Sequence, residues 1–493
     1  MRPSFQAARL PQNASQELEI VPIRAEMCDL WKPQSTEVDK APMMMMKTAI
    51  AAMVLTAACT KAADQCTSNI DCTDPAYPFC DVNGSYPASG GTMNVCTIPP
   101  PAADGGVDAG IDAPIAPGGC SPGAAMCTSN TLSICNSDGM TLTNTNCALG
   151  CESSGTACKT FVPSNGLQPA LTAASSAADV TFPGSISINT DTGVVLNSGN
   201  LPITVTSIVV TQTGAPSIRA FIGHSFDITN ATIYGANAVA FVSATTVKIH
   251  GDVDASANGA SAGPGALTTG VPCVGQSGFA GGGGGNATVG GNSSTGLKSG
   301  GGGITVDGGS AQTSFSPLTG GCTGGGSDTD SDNVGYGGGG GGGMQIDAVT
   351  SIEIGSGGTV DVGGGGGEFY SGGGAGGNVI FESPSVDVEG IVAANGASGG
   401  DCSAYGLDAT PNLTPAPPVA GCPSGPQNKT GESGAGGTAL SPPTPGSAPL
   451  GAPGFAGGGA VGRFLITTAT GSASEGSAAI ESALVMTGTL VSQ

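Results

Sequence analysis

From residue 180 onward, apolar and polar positions alternate with a period of two over short runs rich in β-branched residues. Examples are Ser185-Ile186-Ser187-Ile188, Ile203-Thr204-Val205, Ile208-Val209-Val210 and Phe226-Asp227-Ile228. That period sends successive side chains to opposite faces of an extended chain and predicts strands. Residues 241–255, 346–362 and 381–393 share one scheme: a short strand, a tight turn with Ser, Thr or Pro, an apolar-x-apolar strand, a Gly turn and a third short strand. Val247, Ile249, Ile352, Ile354, Val386 and Val388 are expected to point inward, and Lys248, Glu353 and Asp387 outward. A unit this small cannot bury its apolar side chains alone, so neighbouring units must stack them into a common column. The expected fold is all-β, with a parallel β-helix-like body over residues 180–493.

Composition changes what lies between the strands. The chain of 493 residues holds 87 Gly, with charged residues at 10% and aromatic residues at 4%. An ordinary domain carries about a quarter charged residues and about 7% Gly. Of the 87 glycines, 65 fall in residues 251–470, in blocks such as 281–285, 300–303, 337–343, 363–367 and 372–377. Blocks exclude collagen, which needs Gly at every third position. These Gly-rich insertions are expected either to be flexible or to pack as extended polyglycine strands of the polyproline-II type. The formal charge of -23 and pI near 4.1 argue against a charge-driven grip on nucleic acid or anionic lipid.

The first 42 residues differ from the rest: they hold the only tryptophan, Trp31, and almost no Gly. They read as an upstream extension. Met43-Met44-Met45-Met46-Lys47 then supplies one positive charge, and residues 48–58 form an apolar run ending in small residues before Cys59. Residues 43–58 are therefore read as a signal peptide. The segment resembles a bacterial lipoprotein signal, in which the cysteine is lipidated and begins the mature chain; release by an ordinary signal peptidase is the alternative. Cys59 is the lipidation candidate.

Beyond Cys59 the cysteines fall into even groups. Cys66, Cys72, Cys80 and Cys96 lie in a four-cysteine module, residues 59–98. Cys120, Cys127, Cys135, Cys147, Cys151 and Cys158 lie in a six-cysteine module, residues 119–159. Cys273, Cys322, Cys402 and Cys422 fall in the Gly-rich insertions, where pairing of Cys273 with Cys322 and of Cys402 with Cys422 is the economical expectation. Even groups in an exported chain read as disulfide frameworks, and the connectivity of the two modules stays open. A zinc site would need close cysteine pairs such as C-x2-C together with histidine; the tightest spacing is Cys147-x3-Cys151, and neither module has a histidine. Residues 99–118, rich in Pro, Ala, Asp and Gly, and residues 160–179 read as linkers. The small disulfide-rich modules would then form a stalk.

Residues 245–258, 337–364, 376–400 and 457–466, with the cysteine spacing of residues 120–158, resemble exported glycine-rich repeat proteins of myxobacterial type with Cys-rich N-terminal modules. The resemblance implies a bacterial surface location, at the outer membrane or cell surface or else secreted, and a β-helix-like body. It implies no chemistry.

Candidate chemistry is sparse. Asp328, Asp330 and Asp332 alternate as in calcium loops, but Asn333 and Gly339 stand where an EF-hand has Gly and Glu. Weak calcium binding is the one cofactor expectation. Ser261 and Ser398 sit in G-x-S-x-G matches without the strand-to-helix setting of a nucleophile elbow. Asn189-Thr190-Asp191 and Gly223-His224 look like fragments of polygalacturonase motifs, while the paired aspartates and the later basic triplet are missing. Glycoside hydrolysis needs two facing carboxylates. The expected function is a lipid-anchored, non-enzymatic structural or adhesive surface protein, contacting matrix polysaccharide or other cells. A β-helix polysaccharide hydrolase or lyase is the alternative.

Overall fold

The computed structural model describes residues 79–81, 95–97, 119–294, 305–329, 333–402, 404–420, 431–448, 454–476, 480–481 and 484–491. The chain divides into two units, Met1–Pro114 and Ile115–Gln493. In the first, β1 (Phe79–Asp81) pairs antiparallel with β2 (Val95–Thr97), with Cys80 opposite Cys96. Cys59, Cys66 and Cys72 lie outside the described residues.

The second unit opens on an antiparallel three-stranded sheet of β3 (Ala125–Thr128), β4 (Thr131–Cys135) and β5 (Leu142–Asn146). The β3–β4 hairpin turns on Ser129 and Asn130, both at positive φ (49° and 64°), as a two-residue turn matched to strand twist requires. Three disulfides staple the module: Cys120–Cys135, Cys127–Cys151 and Cys147–Cys158. They supply the constraint that a core this small cannot.

Residues 160–179 correct the linker expectation. Helix α1 (Gln168–Ala174) buries Ala170, Leu171 and Ala174, and Phe161 and Leu167 ahead of it are fully buried. The i, i+3, i+4 spacing of Leu167, Ala170, Leu171 and Ala174 forms an apolar stripe, which outweighs the flanking Pro, Ser and Gly. The stripe lies on a sheet whose other face is also buried.

That sheet belongs to the body. It opens with β6 (Val180–Asn189), β7 (Val195–Asn197), β8 (Pro202–Ile203), β9 (Thr206–Val210), β10 (Ile218–Gly223) and β11 (Phe226–Tyr234), followed by β12 (Ala238–Ser243), β13 (Thr246–Ile249) and β14 (Asp252–Asp254). A small hairpin, β15 (Ser327–Thr329) and β16 (Asn333–Gly335), lies in the first long insertion. Two further sets of three follow: β17 (Gly343–Ala348), β18 (Ser351–Ile354) and β19 (Thr359–Asp361), then β20 (Asn378–Glu382), β21 (Ser385–Val388) and β22 (Ile391–Ala393). β23 (Arg463–Thr468), β24 (Ser474–Glu475), β25 (Ile480–Glu481) and β26 (Leu484–Thr489) close the chain.

Corresponding strands pair in parallel. One sheet runs β26-β23-β20-β17-β12-β10, with β9 antiparallel at its edge. The other contains two columns, because the first half of β11 pairs with β13 and the second half with β14; these continue to β18-β21-β24 and β19-β22-β25. Register places like on like. Phe221, Phe241, Ile346, Phe381 and Ile466 align through the first sheet, and Val247, Ile352 and Val386 through the second. All eight are buried, the β-branched members at 0–1% exposure. Lys248, Glu353 and Asp387 align on the outer face, where Lys248 Nζ lies 2.9 Å from Glu353 Oε2. The side chains follow the alternation in the sequence.

The Gly-rich stretches form a second layer. Residues 255–342, 362–377 and 394–462 leave after β14, β19 and β22 and return as β17, β20 and β23. Within them, extended segments lie side by side and bond to one another with a period of three. N–H groups of Gly372 and Ala375 donate to the carbonyls of Gly325 and Cys322, those of Gly373 and Gly376 to Gly457 and Ala460, and those of Gly374 and Gly377 to Gly365 and Val362. Gly281 and Gly284 likewise donate to Tyr370 and Gly373, Gly282 and Gly285 to Gln276 and Cys273, and Gly283 to Gly291. Three residues per turn is the polyproline-II repeat, and here each turn addresses three neighbouring segments. The described glycine segments of the insertions are packed.

At most glycine positions of this layer a side chain has no room. A Cβ on Gly374 would collide with the carbonyl groups of Gly339 and Gly338, whereas one on Gly355, at the body surface, meets nothing closer than 3.6 Å. Gly374→Ala is expected to cost about 1–3 kcal/mol or more by overpacking, and Gly355→Ala to be near neutral. Urea unfolding midpoints of the two variants check this.

Candidate functional site

The chain has 13 Phe, 6 Tyr and 1 Trp; five of these residues border neighbouring segments of the glycine layer, four of them as two ring pairs and Tyr336 joined through its backbone. Phe279 precedes the 281–285 segment, Tyr336 precedes 337–343, Phe369 and Tyr370 connect 363–367 to 372–377, and Tyr405 adjoins Gly406. The backbone bonds of the layer bring them together. Glu368 N–H donates to Tyr336 O (2.9 Å), Tyr370 N–H to Asp401 O (3.2 Å) and Gly281 N–H to Tyr370 O (2.8 Å). Phe279 and Tyr370 have ring centroids 5.9 Å apart, and Phe369 and Tyr405 5.0 Å apart. Tyr336 is 64% exposed and Tyr405 57%. The patch presents aromatic surface to solvent from a stiff base.

Polar groups border it. The Glu368 carboxylate accepts the Tyr336 N–H at 3.1 Å. Ser327 Oγ donates to Phe369 O (2.7 Å) and accepts the Gly335 N–H (3.1 Å). Burial, with Asp401 nearby, raises the Tyr370 phenol above its ordinary value and keeps it a neutral donor. A depression of about 580 Å³ adjoins the patch, lined by Thr268, Ser277, Ser327, Val334 and Tyr336 among others. Rings of this kind stack on the C–H faces of flat ligands while their hydroxyls stay wet. Nothing in the sequence order marks the cluster, because its members are spread from 279 to 405; the one available signal is that each aromatic borders a glycine block.

The residues singled out from sequence are dispersed. Cys273 is bonded to Cys322 inside the glycine layer, and Cys402 is also disulfide-bonded, with Cys422 outside the described residues. Cys127 Sγ and Cys147 Sγ lie 3.3 Å apart, but both belong to disulfides. Asp328 lies on the β15 backbone, and Asp330 and Asp332 fall outside the described residues. Asn189 Oδ1 accepts the Asp191 and Thr192 N–H groups, and Asp191 Oδ1 accepts Ala236 N–H, so this triplet holds a turn. His250 lies 3.6 Å from Asp227, both half-exposed. Ser398 is fully buried and accepts Leu407 N–H.

Facing carboxyls occur at Asp347 and Glu382, register partners on β17 and β20, and at Asp254 and Asp361, register partners on β14 and β19. Asp347 and Glu382 are 0% and 6% exposed and lie beneath residues 164–165, away from solvent. Arg463 is also buried; its guanidinium donates to Asn378 Oδ1 (3.1 Å) and to the Gln312 and Ser314 carbonyls, and lies 4.5 Å from the Phe315 ring centroid. Burial lowers its pKa to about 10. On the second sheet, Asp361 is pushed from 3.8 up to about 7 by burial, with the charges of Asp254 and Asp252 adding to the effect against the Gly363 N–H bond.

No family model, curated protein or solved structure matches the chain. No helix among the described residues is long and apolar enough to cross a membrane.

Asp361 has a measurable consequence. Between pH 4 and about pH 7 the unfolded chain releases this proton while the folded chain keeps it, so stability falls as pH rises through that window. Asp361→Asn is expected to lose less stability between pH 4.5 and 7.5 than the wild type, as read from urea midpoints at the two pH values.

Proposed function

We propose that this chain is a bacterial surface protein of structural and adhesive function, lipid-anchored through Cys59, whose body is a parallel β-helix. Its contact with matrix polysaccharide is made by the aromatic patch. The observation that carries this reading is the gathering of Phe279, Tyr336, Phe369, Tyr370 and Tyr405 along neighbouring segments of the glycine layer, with two rings more than half exposed. Pyranose rings offer apolar C–H faces to such rings and hydroxyls to the neighbouring Glu368 carboxylate. The parallel columns in register support a coiled body, and the disulfides fit an oxidising compartment. The resemblance to exported glycine-rich proteins of myxobacterial type points to the same location.

The role is non-enzymatic in this reading: the facing carboxyl pairs, buried Asp347 with Glu382 and half-buried Asp254 with Asp361, are taken as parts of the strand columns. Affinity electrophoresis through gels containing the producing cells' matrix polysaccharide tests the contact. Tyr336→Ala/Tyr405→Ala is expected to bind roughly tenfold more weakly, as loss of exposed aromatic anchors does, with an unchanged melting midpoint; undiminished retardation rejects the patch as the contact. Mass spectrometry of the mature N-terminus is expected to show a lipid-modified peptide beginning at Cys59. An unmodified peptide with another start rejects the anchor.

A further inference from the structure

Residues 160–167 run as a strap across the outer face of the first sheet, from the six-cysteine module to α1. Val162 N–H donates to Val491 O, just beyond β26, at 3.1 Å. Ser164 N–H donates to Glu382 Oε2 on β20 (2.7 Å), and Asn165 Nδ2 to Gln345 Oε1 on β17 (2.9 Å). Leu167 and α1 then pack against β10 and β12 through Ile218, Ala220, Ala238 and Ala240. At the far end, Leu149 of the module and Leu490 join the same apolar cluster. The strap and the packing of Leu149 together tie the module to the body.

Its midpoint rests on the buried carboxyl pair. Gln345 Nε2 donates to Asp347 Oδ1 (3.0 Å), to Glu382 Oε2 (3.0 Å) and to Ser164 Oγ (3.2 Å). The two carboxyls are register partners on adjacent strands, and this one amide bridges them. The groups facing the pair are Gln345 on β17, Ser164 and Asn165 on the strap, and the register partners Val242 on β12 and Thr467 on β23. None is a cation; the ion pairs among the described residues are Lys248–Glu353 and His250–Asp227, on the other sheet. Two buried carboxylates in contact without a cation cannot both stay charged.

We propose that one proton held between Asp347 and Glu382 clasps the strap to the sheet, and that losing this proton opens the strap and loosens the six-cysteine module's attachment to the body. Burial, and then the neighbouring Glu382, raises Asp347 well above the usual carboxylate range, and burial raises Glu382. The closed strap thus keeps a proton at pH values where the open strap has released it. Closure is strongest in acid and weakens as pH rises, with the open-to-closed ratio growing up to about tenfold per pH unit while the closed form holds one proton more.

Hydrogen–deuterium exchange of the full chain, wild type against Asp347→Asn from pH 5 to pH 9, tests this. Asparagine keeps a donor toward Glu382 and an acceptor for Gln345 but does not titrate, and the ratio between the two proteins cancels the intrinsic pH dependence of exchange. In peptides covering residues 160–167 the ratio is expected to be near one at pH 5 and to widen to tenfold or more by pH 9, with the wild type less protected. Peptides covering β13 and β18 are expected to stay at one. A flat ratio across the range, or equal widening over the whole body, overturns the proposal. Glu382→Gln carries the same comparison should Asp347→Asn fail to fold.

Discussion

The structure depends on a backbone that must satisfy its own hydrogen bonds with almost no help from side chains. In the glycine layer each segment lies so close to its neighbours that a Cβ would strike a carbonyl, as at Gly281, Gly283, Gly372 and Gly374. Close approach is what lets each N–H reach a carbonyl on another segment, and a buried amide left unpaired would cost about 1–3 kcal/mol. The glycine blocks pay a large entropy of ordering; the crossed network, with three directions per turn, recovers it through many modest bonds made together.

The β columns and the glycine layer support each other. Each return from the layer delivers β17, β20 or β23 to the same sheet in register, so the spacing of the glycine segments and the 4.7–4.9 Å spacing of strands must agree. The apolar ladder through Phe221, Phe241 and Phe381 anchors one layer. Buried Asn286, whose amide donates to the carbonyls of Gly376 and Gly377, and the Cys273–Cys322 bond anchor the other. A base held from both sides can present large rings at its border without their collapsing into a core. That is the physical link from glycine content to a contact surface.

Much of the β portion was legible in the sequence because alternation with period two has one structural solution when one face is buried. Val247, Ile249, Ile352 and Ile354 lie inward and Lys248 and Glu353 outward for that reason. The order of the glycine blocks was not legible, since a run of identical residues carries no pattern from which to read its neighbours. The same lack hid the aromatic patch: Tyr336 and Tyr405 are 69 positions apart and are linked only through the 368–369 segment, by the Glu368 N–H bond to Tyr336 and the Phe369–Tyr405 ring pair. The strap was misjudged for a different reason. Its Pro163, Ser164, Asn165 and Gly166 have the composition of a linker, and their partners Glu382 and Gln345 lie about two hundred positions away.

The threefold bonding of the layer carries a hazard of its own. A uniform polyglycine segment that slides by three residues regains the same set of neighbours, so the network alone is nearly indifferent to such a slip. Misalignment must be prevented by the few residues that are not glycine. Ala375 within its block, Asn286 at the end of another and the Cys273–Cys322 crosslink act as indexing marks, and the scarcity of such marks makes each one a determinant of which of several equally bonded arrangements the chain adopts.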